Sequence, residues 1–152
     1  MYSESDIKII KGDEHILKHQ DKYFGTKRAT PEAICSAIAQ GAMLLGCKEV
    51  IIKKLGNWHV IAAESDWLTH PNLLHIGERD VFDSLNAFPE AGDNWFRSEY
   101  MAKLFSSVLI TFDGATYEML KGSNSQLKDF EKVTSKLTSH KRILGFIFRN
   151  EF

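Results

Sequence analysis

Residues that could hold a metal ion occur in the middle of the sequence. His70 and His75 lie near Glu64, Asp66 and Glu78. Imidazole nitrogens and carboxylate oxygens are common zinc ligands, but known zinc patterns place their ligands at short, regular spacings that this set lacks. Histidines on the surface or packed in loops are therefore the favoured interpretation. The sequence predicts no metal ion and no other cofactor.

The two cysteines could supply a nucleophile. Cys35 and Cys47 lie in or beside one predicted helix, and a cysteine paired with a distant histidine can be catalytic. A cysteine on a packed helix is more often a small buried apolar residue, and this spacing fits neither a metal knuckle nor a disulfide framework. We expect two reduced thiols without a catalytic role.

Charge is distributed unevenly along the chain, although the net charge is only -1. The segment from Glu64 to Tyr100 contains eight acidic and two basic residues. The segment from Lys121 to Arg142 contains six basic and two acidic residues. The basic block has no aromatic residue except Phe130, so a solvated face is favoured over direct contact with nucleic acid.

Aromatic residues lie among the acids of the middle segment, namely Trp67, Trp95, Phe96 and Tyr100. Aromatic side chains surrounded by charge are typical of protein-binding hot spots, but they can equally fill a core. Both interpretations are open for these residues. The residues that we predict to contact a protein partner are Asp66, Trp67, Glu78, Asp80, Asp83, Glu90, Asp93 and Trp95.

Length and composition are those of one globular domain covering residues 1–152. The chain is 43% hydrophobic and 26% charged, which is ordinary for a soluble domain. The acidic N-terminus starts no apolar run, and the most apolar stretch, from Ala33 to Cys47, is too short to span a bilayer. We therefore expect a cytoplasmic protein without membrane contact.

The elements that must position these residues are helices mixed with hairpins, a pattern that predicts an α+β fold. The clearest helix begins at Thr30-Pro31, a cap followed by proline in the first turn, and ends at Gly46. Gly56-Asn57 and Asp113-Gly114 predict two hairpins. The other predicted elements are a strand at 7–11, a helix at 14–23, short helices at 80–86 and 97–106, a helix or charged loop at 126–137, and a last strand at 143–148.

Three stretches, in this order, resemble the nucleotide-binding domain of DNA gyrase B and topoisomerase IV. They are Ile16 to Gly25, the helix Pro31 to Leu45 running into Gly46-Cys47-Lys48-Glu49 and a strand, and Met101 to Gly122 followed by Gly145 to Arg149. The resemblance implies the Bergerat fold of the GHKL ATPases. In that fold a two-layer sandwich places a mixed or antiparallel sheet under helices on one face.

The resemblance also implies an ATPase whose catalytic helix is not intact here. The family uses a glutamate as general base and an asparagine one turn later to hold magnesium, so that both lie on one helical face. The matching positions are Ala33 or Ile34 for the glutamate and Ala37 or Ile38 for the asparagine. None of these residues can accept a proton or bind a metal.

The nucleotide motifs of that family are missing as well. Alanine stands at Ala63, where the adenine-binding motif has its aspartate, and Trp67 falls where the motif has glycine. The expected glycine-rich lid, from Ala91 to Tyr100, holds only Gly92. The sequence therefore predicts no catalytic residue, no ATP hydrolysis and no tight ATP binding.

A non-catalytic domain with an acidic middle predicts a protein-binding module with a basic partner. The leading hypothesis is a bacterial immunity protein, or antitoxin, that neutralises a cognate toxin of the contact-dependent growth inhibition type. Two alternatives are a decoy or regulator of the gyrase and topoisomerase system, and a divergent ATP-binding hydrolase that uses Glu64 or Asp66. The oligomeric state is left open.

Overall fold

The computed structural model describes residues 29–69, 80–83, 86–92 and 96–149. The strand predicted at 7–11, the helix predicted at 14–23 and the gyrase-like stretch from Ile16 to Gly25 lie outside these residues. None of the helices in the described ranges has the length and apolar character needed to cross a bilayer.

The first helix, α1, spans Pro31–Leu44 and confirms the prediction. Thr30 begins it, because its Oγ1 accepts a hydrogen bond from the backbone N–H of Ala33 at 3.1 Å. Leu45 caps the other end, and Gly46 follows with φ of 105°, a conformation that favours glycine. The α1 side chains that face the sheet are buried: Ile34, Cys35, Ile38, Ala39 and Ala42.

A single antiparallel sheet organises the described chain. Its five strands have the order β1-β2-β5-β3-β4, so the last of them along the chain occupies the middle of the sheet. Every neighbouring pair is antiparallel. The strands are β1 Val50–Leu55, β2 Trp58–Ala63, β3 Ser106–Phe112, β4 Tyr117–Lys121 and β5 Arg142–Phe148.

Both predicted hairpins are confirmed, with one difference in the second. Leu55 pairs with Trp58 across the two-residue turn Gly56-Asn57, and Gly56 has φ of 63°. In the second hairpin Phe112 pairs with Tyr117, so the loop has four residues instead of two. Asp113 lengthens it, because its Oδ1 accepts the backbone N–H of Ala115 at 2.9 Å and that of Thr116 at 2.7 Å.

Three further helices are described. They are α2 Asp80–Asp83, α3 Glu99–Leu104 and α4 Asn124–Val133, with 3-10 turns at Trp67–Thr69, Pro89–Ala91 and Ser135–Leu137. Of these helices, α3 and α4 are shorter than predicted. The segment left open as helix or loop is thus a helix. Its start is fixed by Gln126, whose Oε1 accepts the backbone N–H of Ser123 at 2.9 Å.

Helices cover both faces of the sheet, so the predicted two-layer sandwich with helices on one face is wrong. One core contains Ile61, Leu109 and Leu144 beneath α1 and α3. The opposite core contains Val60 and Ile110, and Phe130 of α4 lies on it. The reason is that the strands β2, β3 and β5 are apolar on both faces, which requires a cover on each.

Candidate protein-binding surface

The described residues on either side of positions 93–95 meet at Ala87 and Phe96, and we call residues 87–92 together with Phe96 the acidic loop. An antiparallel bridge joins Ala87 to Phe96, and the backbone N–H of Arg97 donates to the carbonyl of Asn86 at 2.7 Å. The two ends of the loop therefore meet. Loops of this kind, whose ends are close and fixed, are frequently functional because their tips are presented by a rigid base.

Arg97 anchors the base of the acidic loop in the protein interior. Its side chain is 2% exposed, as is that of Glu99. The guanidinium donates to both carboxylate oxygens of Glu99, at 2.6 and 3.2 Å. Trp67, buried at 1%, donates its indole N–H to the same carboxylate at 3.1 Å. The buried charge pair is thus held by three hydrogen bonds, as a buried pair requires.

Phe88 fixes the acidic loop to helix α1. The guanidinium carbon of Arg97 lies 4.9 Å from the centre of the Phe88 ring, within the range of a cation–π contact. On α1 the Phe88 ring packs closely against Gly41. A Cβ added to Gly41 would lie only 2.9 Å from Cε2 of Phe88. Gly41 therefore gives the ring room to pack against the helix.

The surface of this region carries acids and an aromatic side chain. Glu90 is exposed on the acidic loop, and Phe96 at its end is 42% exposed. Asp83, at the end of α2, is also exposed and forms a salt bridge with Lys103. Exposed carboxylates together with an exposed aromatic residue are typical of surfaces that bind basic proteins.

The structure divides the residues predicted to bind a partner into four groups, of which Asp66 and Trp67 form the last. Asp83 and Glu90 are on the surface just described. For Asp80 only the backbone position in α2 is described. Glu78, Asp93 and Trp95 lie outside the described residues, as do His70 and His75 of the possible metal site.

Asp66 and Trp67 have internal roles that the sequence did not reveal. Both carboxylate oxygens of Asp66 accept hydrogen bonds from the guanidinium of Arg142, at 2.8 and 2.7 Å. Trp67 is buried in the core beside Glu99. Of the two interpretations left open for Trp67, core filling and partner binding, its position supports core filling. Since its side chain is buried, the prediction that Trp67 contacts a partner does not fit its position.

Sequence reasoning missed Arg97, Glu99 and Phe88 as residues that shape this surface. A signal was present, since Arg97 is one of only two basic residues in the acidic middle segment and stands two residues before Glu99. A lone arginine among acids and aromatics is a candidate for a buried, bidentate pair. The sequence does not reveal the contact between Glu99 and Trp67, which are 32 residues apart in the chain.

The positions that match the ATPase motifs hold apolar side chains inside the core. Ile34, Ile38 and Ala63 are buried in the cluster beneath α1. In the described ranges no group of three or more His, Cys, Asp and Glu residues could hold a metal ion. These positions stabilise the fold by burial, and they supply no acid, base or metal ligand.

Glu64, the carboxylate that a divergent hydrolase would use, caps a backbone turn. Its Oε1 accepts the backbone N–H groups of Lys48 and of Glu49, the latter at 2.9 Å. The hydrogen bond from Glu49, followed by that from the Ser65 side chain, holds the pKa of Glu64 below its usual value. A carboxylate stabilised in its charged form is a poor general base.

We expect Glu64→Gln to lower the stability of the protein near pH 7 and to matter less in acid. The folded-state pKa of Glu64 is depressed, so its contribution is present above the unfolded value of about 4.3 and is lost as the pH falls through the folded value. Urea midpoints of both proteins near neutrality and near pH 3 would measure this. A gap between the two midpoints that stays constant over this range would contradict it.

Burial makes the thiols of Cys35 and Cys47 poor nucleophiles, because it disfavours their thiolate form. Burial, followed by the charge of Glu32, raises the pKa of Cys35 to about 12, and burial also raises the pKa of Cys47. Both cysteines are free and buried. Because the thiolate is the nucleophilic form, neither residue is suited to attack a substrate near neutral pH.

No protein-family model, curated protein or solved structure matches this chain. The described residues form an α+β fold whose antiparallel sheet is covered on both faces, with the acidic loop at its surface. The resemblance to the gyrase B domain stays a prediction.

Proposed function

We propose that this chain is a non-catalytic protein-binding module whose partner is a basic protein. The observation that carries the proposal is the acidic loop, which presents Glu90 and Phe96 on a base fixed by the buried Arg97–Glu99 pair. A rigid base lowers the entropy that a loop loses on binding. The two carboxylates that a hydrolase would use, Glu64 and Asp66, are engaged in internal hydrogen bonds, which supports a binding role.

The partner that best fits an acidic binding module of this size is a toxin with a basic surface, such as a nuclease domain. The chain would then be an immunity protein that acts in the cytoplasm, where such a toxin meets its substrate. Neutralisation follows simply from covering the basic surface that the toxin uses to bind its own target. This function requires neither a cofactor nor a reaction.

The function is tested by capture followed by a growth assay. The affinity-tagged chain is used to isolate binding proteins from cells that produce it, and the captured protein is then expressed with and without the chain. We expect the captured protein to stop growth when alone and to permit growth when the chain is present. A captured topoisomerase subunit, or a captured protein that is harmless, would contradict the toxin proposal.

We expect charge reversal on the acidic loop to slow the association. Glu90→Lys should reduce the association rate about three- to tenfold at low salt and should weaken its salt dependence, because long-range attraction acts mainly on the encounter. Rates are measured by surface plasmon resonance at several salt concentrations with the captured partner. Glu131→Lys is the matched control, since Glu131 is an exposed glutamate on α4, at the opposite face of the sheet.

An aromatic variant separates contact from charge steering. Phe96→Asp should mainly accelerate dissociation, while Ile52→Asp, at a residue of similar exposure on β1 (49% against 42%), should leave it unchanged. Equal effects of Glu90→Lys and Glu131→Lys, or of Phe96→Asp and Ile52→Asp, would mean that the partner binds another surface.

A further inference from the structure

A pocket of about 390 Å³ lies at the start of α1, beside the β1–β2 turn and the end of β5. Its volume is within the range of small-molecule sites, about 300–1,000 Å³. Its polar lining residues are Glu32, Lys54, Asn57 and His59, and Pro31 and Phe148 add apolar surface. Ile147 also lines the pocket, but its side chain belongs to the core on the other face of the sheet.

The polar side chains of this pocket are not paired with one another. Glu32, Lys54, Asn57 and His59 make no side-chain hydrogen bond or ion pair with any residue in the described part of the chain. For exposed residues this is ordinary. His59 is half-buried, but its ring nitrogens are not among the fully buried polar atoms, so they are accessible to a ligand in the pocket.

His59 is held in place by stacking. Its ring lies 5.6 Å from the ring of Phe146 at an interplanar angle of 25°, and the two residues are cross-strand partners between β2 and β5. Burial lowers the pKa of His59, while the charges of Glu32 and Lys54 act on it in opposite directions. The neutral ring offers one donor and one acceptor.

The charges of the pocket select the kind of ligand. A simple anion would be attracted by Lys54 and repelled by Glu32. A simple cation would be attracted by Glu32 and repelled by Lys54. The two side chains do not satisfy each other, since no salt bridge joins them. A molecule with both charges can pair with each of them, and its apolar body can contact Pro31 and Phe148.

We propose that this pocket binds a small zwitterion with an apolar body, namely a free α-amino acid with an aromatic or branched aliphatic side chain. Its ammonium group pairs with Glu32 and its carboxylate with Lys54. Asn57 and His59 donate or accept the remaining hydrogen bonds, and the amino acid side chain lies against Pro31 and Phe148. The site is distinct from the acidic loop, because Pro31 at the pocket and Gly41 at the loop are ten residue steps, or about 15 Å, apart along α1.

The test is an NMR titration that follows the ring signals of His59. The ligands are L-phenylalanine and two analogues that each lack one charge, 3-phenylpropanoate and phenethylamine. We expect saturable shifts with L-phenylalanine and at least about tenfold weaker binding of either analogue, since one charge-assisted hydrogen bond contributes roughly a factor of ten.

Variants of the charged residues complete the test. Glu32→Gln and Lys54→Met should each weaken L-phenylalanine binding about tenfold. Both residues are exposed, so the variants are expected to fold. His140→Ala is the matched control, because His140 is also half-buried but lies outside the pocket, with Nδ1 2.9 Å from the carbonyl of Leu137. It should leave binding unchanged.

Three results would each overturn the proposal. They are the absence of saturable shifts up to a concentration on the order of 10 mM, equal binding of the amino acid and its singly charged analogues, and unchanged affinity in Glu32→Gln or Lys54→Met. None of these results bears on protein binding by the acidic loop.

Discussion

Replacing Arg97 by methionine is expected to lower the free energy of unfolding by about 3–5 kcal/mol. The substitution removes the cation but leaves the Glu99 carboxylate buried at 2% exposure, where only the indole N–H of Trp67 still donates to it. An unpaired charge in the interior costs far more than an exposed pair contributes. Urea denaturation followed by fluorescence measures the change.

Lys103→Met provides the comparison for Arg97→Met. Lys103 also forms a salt bridge, with Asp83, but the two side chains are 30% and 48% exposed. Exposed pairs contribute about 0–1 kcal/mol, so this variant should unfold close to the wild-type midpoint. If Arg97→Met and Lys103→Met were equally stable, Arg97 would not be the anchor of the acidic loop.

Gly145→Ala is expected to cost about 3 kcal/mol, at the upper end for adding one methyl group to a packed core. Gly145 lies in the middle strand, paired with Val60 on one side and Ile110 on the other. A Cβ there would lie 2.1 Å from Cε1 of Phe130. The ring cannot move aside easily, because Trp58 packs against it at 4.8 Å and Tyr117 at 5.9 Å between ring centres.

A double-mutant cycle tests the cause of that loss. If the added methyl group collides with Phe130, the combination of Gly145→Ala with Phe130→Leu should be more stable than the sum of the two single effects predicts. Thermal and urea midpoints of the four proteins give the coupling energy. Simple additivity would show that Gly145 is needed for another reason.

Local patterns were enough to predict the elements near tight turns and caps. Thr30-Pro31 and Gly46 fixed α1, and Gly56-Asn57 fixed the first hairpin, because each of these signals acts over a few residues. The covering of both faces was harder to predict, since it depends on which strands lie next to each other. The run from Ile143 to Phe148 is apolar on both faces, and that property is the sequence signal for a central strand.

The candidate site was predicted in outline and not in detail. The acidic segment stays a predicted binding region, and within it Asp83 and Glu90 are exposed. Asp66 looked equally available, but its partner Arg142 is 76 residues away. Pairings at such separations are set by the tertiary fold, so charge counting along the sequence does not reveal which acids are already neutralised.

The position of β5 has a consequence for how the chain folds. The β1–β2 and β3–β4 hairpins can each form soon after their residues are synthesised, but they join into one sheet only when Arg142–Phe148 pairs with both. Folding therefore waits for a late, long-range pairing, which slows the search. Until then each hairpin has an open apolar edge, so the nascent chain is prone to aggregation up to the moment that its last described strand appears.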